Sequence, residues 1–596
     1  MMEAVSTSPL RLSMLRKFNT WYTVADGNWS NPNTWMSNGK RIHSLPQPGD
    51  DVYIDHNIGL DIYQTTINNL YVNGQLSHTL INAILTVNGN LQAKGTVDLS
   101  QVSNANLVLN GFYNFINSFE AGNSSTVTYS RPSDQDVMSL PYQNLKIYNI
   151  GIKYLTAHTI INGNLNVNDY QSYDAFLECG PFNLTVYGTS SFTADGIVGN
   201  GNLGKSGNGN LLFVGNCNIN ANTTFSSNIN SLEFRGGFSG SGFDGILNIN
   251  CPVYFTTNSQ IFSGSVYFND LVMIIGQITL TNNGTMYLLQ GVNGDNNNST
   301  LTNNYELYLS SPVAMNLGVF NYMNGSSSLM GYAMNDDFAL PFTSYNNLSI
   351  LGTGTKSLSG NTNVLNPLVN NYSANSSRLD CGPYDLVING NTTVTGQGME
   401  NDAALIKTGS GKITFVGDAF LNCAQIGFNS DVTLEFRGNV NFGPYGSIVE
   451  NSVTISGPIN LTTSSKTISG KGMIFNGSIT ISGGITATFD GADLGHNISG
   501  TITGASNTDT MKVTGAVSYL NPIEPMQVGV LDCNYSTSKF YYSASNNQNI
   551  VGGTYGSLFL NGSGTKTLLG NIIIISSYLL TSPATLDTNE YTISNS

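Results

Sequence analysis

Two glutamates are each followed two places later by an arginine, Glu233 by Arg235 and Glu435 by Arg437, a spacing that puts both side chains on one face of a strand. Such a pair could serve acid–base chemistry, yet it recurs at an interval of 202 residues within Leu232-Glu233-Phe234-Arg235-Gly236 and Leu434-Glu435-Phe436-Arg437-Gly438. Two identical active sites in one chain would be unusual, so these read as structural ion pairs. Carboxylate pairs suited to general acid–base or glycosidic chemistry are Asp134 with Asp136, Asp336 with Asp337, and Glu400 with Asp402; Asp493 stands near His496. The first two pairs precede the equivalent steps Leu140-Pro141 and Leu340-Pro341, and they read as turn residues. Asp50, Asp51, Asp55 and His56 contain metal-ligand types, but Gly-Asp-Asp ahead of an alternating Val-Tyr-Ile segment is ordinary turn chemistry. Residues 294–299, GDNNNS, offer oxygens to calcium without the spaced ligands of a calcium loop. The five histidines are scattered, with no zinc-like spacing. Gly-x-Gly is frequent because glycine is, so it carries no nucleotide signal. No catalytic, cofactor or metal residue is assigned, no enzyme is expected, and ligand-binding residues stay unassigned.

The elements that would position these groups are strands. Of 596 residues 10% are charged and 65 are glycine, while 40% are hydrophobic with 30 Tyr and 27 Phe. That apolar content excludes disorder. β-Branched residues alternate with polar ones and helical periodicity is nearly absent, which predicts an all-β chain. A net charge of −15 without a basic stripe excludes nucleic acid and disfavours anionic membranes. Nothing approaches the ~20 apolar residues of a membrane-spanning helix. The six cysteines, with Cys179 and Cys381 at equivalent places, read as small buried residues rather than disulfides.

A strand, a Gly-rich corner and a lysine ahead of a second strand recur three times, at residues 144–166, 347–366 and 557–571. Leu177-Glu178-Cys179-Gly180-Pro181 returns as Leu379-Asp380-Cys381-Gly382-Pro383, and Phe213-Val214-Gly215 as Phe415-Val416-Gly417, both 202 residues on. Asn-Gly and Gly-Asn corners punctuate short strands, as at Asn88-Gly89-Asn90 and Asn389-Gly390-Asn391, where a left-handed backbone is tolerated. A sandwich of hairpins is one solution, but unbroken corners and the long repeat favour a solenoid. The expected fold is a long single-stranded right-handed parallel β-helix with an N-terminal Trp-rich cap. The reading divides the chain into an attachment arm (1–18), a cap (19–66), first coils (67–125), two long units (126–325 and 326–535) and a shortened third (536–596). Trp21, Trp29 and Trp35 in the cap suit the covering of an exposed first coil. Residues 1–17 carry Arg11, Arg16 and Lys17 against Glu3 and lack the apolar core of a secretion signal, so they read as a basic peg for a larger acidic assembly.

The cap stretch around Trp29-Ser30-Asn31-Pro32-Asn33-Thr34-Trp35 and Pro46-Gln47-Pro48-Gly49-Asp50-Asp51, and the recurring Tyr-x-x-Leu strand before Gly352-Thr353-Gly354-Thr355-Lys356 and Gly562-Ser563-Gly564-Thr565-Lys566, resemble the glycine-rich surface solenoids of Bacteroidetes and their bacteriophages. Gly151-Ile152-Lys153 departs from that pattern. The resemblance implies a virion appendage, a fibre or tailspike-like homotrimer. It would be fixed to other virion structural proteins by its N-terminal arm and would bind host cell-surface polysaccharide. A bacterial cell-surface adhesin and a capsular polysaccharide depolymerase are the alternatives.

Overall fold

The computed structural model describes residues 19–596 except for residues 42, 169–174, 194–200, 205–206, 221–222, 226, 241–245, 296, 312–314, 367, 373–376, 397–403, 407, 423–431, 443–453, 456, 471–472, 492–495 and 523–525. Apart from one short 3-10 turn, Pro32–Thr34, every described element is a β-strand. The chain forms two compact units, residues 1–280 with 292–300, and residues 281–291 with 301–596.

Each unit is a parallel β-solenoid. In the first, Asn144–Tyr148, Gly151–Leu155 and Thr159–Ile161 make one coil and pair in parallel with Leu165–Asn168, Ala175–Glu178 and Leu184–Val186 of the next. In the second, Asn347–Ile350, Gly354–Leu358 and Thr362–Val364 pair likewise with Leu368–Tyr372, Ser377–Asp380 and Leu386–Ile388. Side chains alternate along a strand, so Leu145 and Ile147 fill the interior while Lys146 and Tyr148 lie outside. Antiparallel pairing belongs to the cap, where Thr20–Thr23 meets Trp35–Ser37 and also runs parallel to Asp51–Ile54. Trp21, Trp29 and Trp35 are buried there. Asp50 ties the cap together: its carboxylate accepts the Trp21 indole N–H at 2.8 Å and the backbone N–H of Asn19 and Gln47.

The 202-residue matches mark adjacent coils on one face. Phe213 stacks on Phe234 at 5.4 Å, and Phe415 on Phe436 at 4.9 Å. Just beyond these rings the chain turns, and a column of glycines carries the turn upward. A Cβ at Gly188 would strike Gly163, one at Gly215 the carbonyl of Gly188, and one at Gly236 the carbonyl of Gly215. Gly417 and Gly438 repeat this against Gly390 and Gly417. The left-handed backbone expected at Asn88-Gly89-Asn90 and Asn389-Gly390-Asn391 is not used there; it occurs at the Asn38-Gly39 corner, with φ of 50° and 72°, and at Asn82 and Asn104, with φ of 60° and 56°. Elsewhere the glycines answer a different need, the contact of one coil's backbone with the next. Replacing Gly215 with Ala is expected to cost about 2–3 kcal/mol by forcing these backbones apart, read as a lower urea midpoint; an unchanged midpoint would refute the close approach. Asparagine builds ladders of its own, with Asn110 Nδ2 donating to Asn88 Oδ1 at 2.9 Å and Asn304 Nδ2 to Asn283 Oδ1 at 2.6 Å.

The threefold motif has a buried polar skeleton. Lys153, Lys356 and Lys566 are completely buried. Lys153 Nζ donates to the carbonyls of Ile150, Gly151 and Ser133 at 2.8, 3.2 and 3.2 Å. Lys356 Nζ reaches Met334 and Asp336 at 2.7 and 3.1 Å and also Thr353. Lys566 Nζ reaches Ala544 at 2.7 Å, Asn546 at 3.4 Å and the Gln548 side chain at 3.2 Å. The corners that turn these carbonyls toward the ammonium use positive φ at Gly352 and Gly354 and at Gly562 and Gly564. In the first copy Asn149 and Gly151 do the same, so Gly151-Ile152-Lys153 departs in sequence but not in structure. A tyrosine pair accompanies each lysine. Met138 N–H donates to Tyr129 Oη, Tyr129 lies 2.8 Å from Tyr142 Oη, and Tyr142 O–H closes the circuit on the Met138 carbonyl. Val551, Tyr542 and Tyr555 repeat it, and Tyr332 meets Tyr345 at 3.2 Å.

Candidate functional site

Most residues singled out for chemistry are occupied in holding coils together. Arg235 Nε donates to Glu233 at 2.7 Å, and Arg437 Nε to Glu435 at 2.7 Å, while Lys412 also pairs with Glu435. Thr256 and Thr462, one coil on, each donate a hydroxyl to the same carboxylates at 2.9 Å. These donors hold Glu435 down at about 2 against the desolvation of its burial. Asp134 accepts Ile152 N–H and Asp337 accepts Thr355 N–H, at 2.9 and 2.7 Å, as turn residues bonded to the next coil. Asp336 offers its carbonyl to Lys356. Asp51 binds Asn68 and Asn69, Asp55 binds Asn73, and His56 meets Thr23 at 3.0 Å. Asp295 accepts Gly276 N–H and Ser299 O–H. His496 is buried against Phe475 and Phe489. Glu400, Asp402 and Asp493 lie outside the described residues. Cys179, Cys217, Cys251, Cys381 and Cys533 are buried, and Cys423 lies outside the described residues. Among the described residues no group of His, Cys, Asp or Glu could hold a metal ion.

Asp136 stands apart. Its strand, Gln135–Val137, opens a new sheet, whereas Asn114–Glu120 on the preceding coil ends the sheet that begins in the cap. On the neighbouring face the ladder is unbroken, with Asn106–Leu109 paired residue for residue to Thr126–Tyr129. The coils therefore stay joined on one face and part on the other. The opening is a cleft of about 250 Å³ whose lining includes Phe112, Tyr113, Phe115, Asp136 and Ser139. Ile116, Met138 and Leu140 form its nearly buried apolar floor.

Local contacts explain why aromatic rings stand at this rim. Gly111 is pressed onto the Gly89 carbonyl, and the chain then turns outward through Phe112 and Tyr113. Asn90 Oδ1 accepts Tyr113 N–H at 3.0 Å, and Asn114 Oδ1 accepts Leu91 N–H at 3.2 Å, pinning the turn to the coil below. Phe112, Tyr113 and Phe115 are consequently 59%, 58% and 45% exposed. The Arg131 guanidinium covers one face of Phe112 at 4.7 Å, and its Nε donates to Ser133 Oγ at 2.6 Å.

Phe115 continues an outward column of Tyr22, Tyr53, Tyr71 and Gln92 on successive strands. In the column the tyrosine rings stack on each other, 4.9 and 4.3 Å apart, so their faces are mutually covered. Phe115 stands on the last strand of that sheet, next to an amide rather than a ring. A polar groove in the second unit, lined by Asn391, Asp418, Asn439 and Thr467, is less available. The side chains of Asn391, Asp418 and Asn439 each accept a backbone N–H from the next coil, at 3.1, 2.8 and 3.1 Å.

Exposed rings over an apolar floor, with one carboxylate at the rim, can stack on the C–H face of a sugar and accept its hydroxyls. Sequence reasoning reached Asp136 only as a turn residue and missed the aromatic rim. The available signal was Phe112-Tyr113-x-Phe115 directly after a corner glycine, a cluster too dense for the inward alternation. No protein-family model, curated protein or solved structure matches the chain.

Proposed function

We propose that this chain is an adhesive surface appendage, a fibre or tailspike-like virion protein that recognises host cell-surface glycan and performs no chemistry on it. The single observation that carries the reading is the cleft between Asn114–Glu120 and Gln135–Val137, which pairs exposed aromatic faces with a carboxylate. A parallel solenoid supports it as well, since stacked coils present a long repetitive surface on which one specialised corner can be set. The basic residues Arg11, Arg16 and Lys17 suit an attachment arm that docks on other virion proteins, and the assembly is a homotrimer by analogy with appendages of this kind.

The test is to mix the purified chain with capsular polysaccharide from candidate Bacteroidetes hosts, measuring binding and new reducing ends together. Saturable binding without cleavage is expected, with at least tenfold weaker binding in Phe115→Ala at an unchanged unfolding midpoint. Steady release of reducing ends would overturn the reading in favour of a depolymerase, and absence of binding would leave only a structural role.

A further inference from the structure

We infer that the cleft bounded by Phe115 and Asp136 takes one uncharged pyranose ring and discriminates against sugars that carry a carboxylate. This rests on the glycan-binding reading and names its ligand class. Size is the first argument. At about 250 Å³ the cleft lies below the ~300–1,000 Å³ of pockets for drug-sized ligands. One ring fits; a folded oligosaccharide does not. Shape is the second. The unbroken pairing of Asn106–Leu109 with Thr126–Tyr129 keeps the two coils one strand spacing apart, ~4.8 Å, along the neighbouring face. An inserted peptide strand would need twice that separation, so the cleft does not suit strand addition by a peptide.

Charge supplies the third argument. Asp136 is the only ionisable side chain besides Tyr113 in the lining, and no Lys, Arg or His is among the lining residues. The Arg131 guanidinium is not part of that lining; it lies over the Phe112 ring, with its Nε donating to Ser133 Oγ. A uronic acid would bring its carboxylate beside Asp136 with no counter-charge in the lining, on a chain whose net charge is already −15. Neutral sugar hydroxyls have the opposite fit, because a carboxylate accepts two of them in charge-assisted hydrogen bonds.

Finally, the scaffold itself does not demand this carboxylate. The three copies keep an acceptor at Asp134, Asp337 and Asn547, each bonded to the N–H eighteen residues on. Two places later in each copy, where Asp136 pairs with Tyr154, the other copies have Ala339 paired with Ser357 and Asn549 paired with Thr567. A position free to be Ala or Asn in two copies is acidic in the copy that owns the cleft.

The experiment is saturation-transfer NMR and titration calorimetry on the full chain with methyl glucoside, methyl galactoside, N-acetylglucosamine, glucuronate and galacturonate. At least one neutral sugar is expected to bind at least tenfold more tightly than either uronate. Asp136→Asn should weaken it about tenfold and narrow the discrimination, and Phe115→Ala should abolish transfer, both with wild-type melting temperatures. Uronates binding as tightly as neutral sugars, with loss in Phe115→Ala, would overturn the ligand class and leave glycan binding at this cleft intact. Neutral-sugar binding untouched by either substitution would place the site elsewhere and overturn the inference. No binding by any sugar, repeated with host polysaccharide, would overturn the glycan reading as well.

Discussion

Lys356→Met is expected to destabilise the second unit by about 3–5 kcal/mol. The ammonium is completely buried and donates to the carbonyls of Met334, Asp336 and Thr353, which come from two successive coils. Burial lowers its pKa to about 8, so at pH 7 it is still mainly the protonated, three-donor form. Hydrogen bonds from a charged donor contribute ~1.5–3 kcal/mol each, and truncation strands the buried acceptors. Methionine preserves most of the methylene packing, so the loss reports the ammonium. The control is Lys539→Met in the same unit, whose side chain is exposed. An exposed lysine of this kind is worth ~0.5 kcal/mol or less. Urea unfolding of both variants decides the matter, and equal midpoints would show that the buried ammonium is not a structural pin.

Acid should loosen both units in a window set by two histidines. His78 in the first unit and His496 in the second are fully buried, and burial lowers each to about 4. Asp98 near the one and Asp490 near the other pull upward without offsetting that cost; backbone hydrogen bonding acts in the same direction. The folded pKa lies below the unfolded value of ~6.5, so between the two the unfolded chain binds more protons. Stability is therefore complete above pH 6.5 and falls as pH drops toward 4, by about 3 kcal/mol per histidine. Glu435, depressed to about 2, adds a separate loss that begins near pH 4.5 and continues downward. His496→Leu should flatten the dependence of the second unit between pH 6.5 and 4 while leaving that of the first. Melting temperatures across this range test it, and a wild-type slope retained in the variant would refute the assignment.

Much of the fold was legible because each strand repeats a simple demand. Leu145 and Ile147 alternate with polar neighbours, and the interval from Phe213 to Phe415 exposes the tandem design. The burial of Lys356 was not legible in the sequence, because the carbonyls that turn it inward come from two successive coils. The glycines were seen correctly as corner residues but with half of the reason. Gly352 and Gly354 need positive φ, whereas Gly188, Gly215 and Gly236 need room for the backbone one coil away.

What the sequence by itself determined was local and periodic: strand alternation, corner chemistry, the capping tryptophans and the recurrence of the coil, all set by neighbours a few residues apart or by exact repetition. Tertiary structure decided which coils stay paired on every face and which part on one. Phe115 and Asp136 lie about one coil apart, and nothing in either segment says that the ladder joining their neighbours is interrupted between them. The cleft exists because strand pairing continues from Asn106–Leu109 to Thr126–Tyr129 and stops between Asn114–Glu120 and Gln135–Val137. Such a break is a property of stacked coils, and it has no counterpart in a single strand.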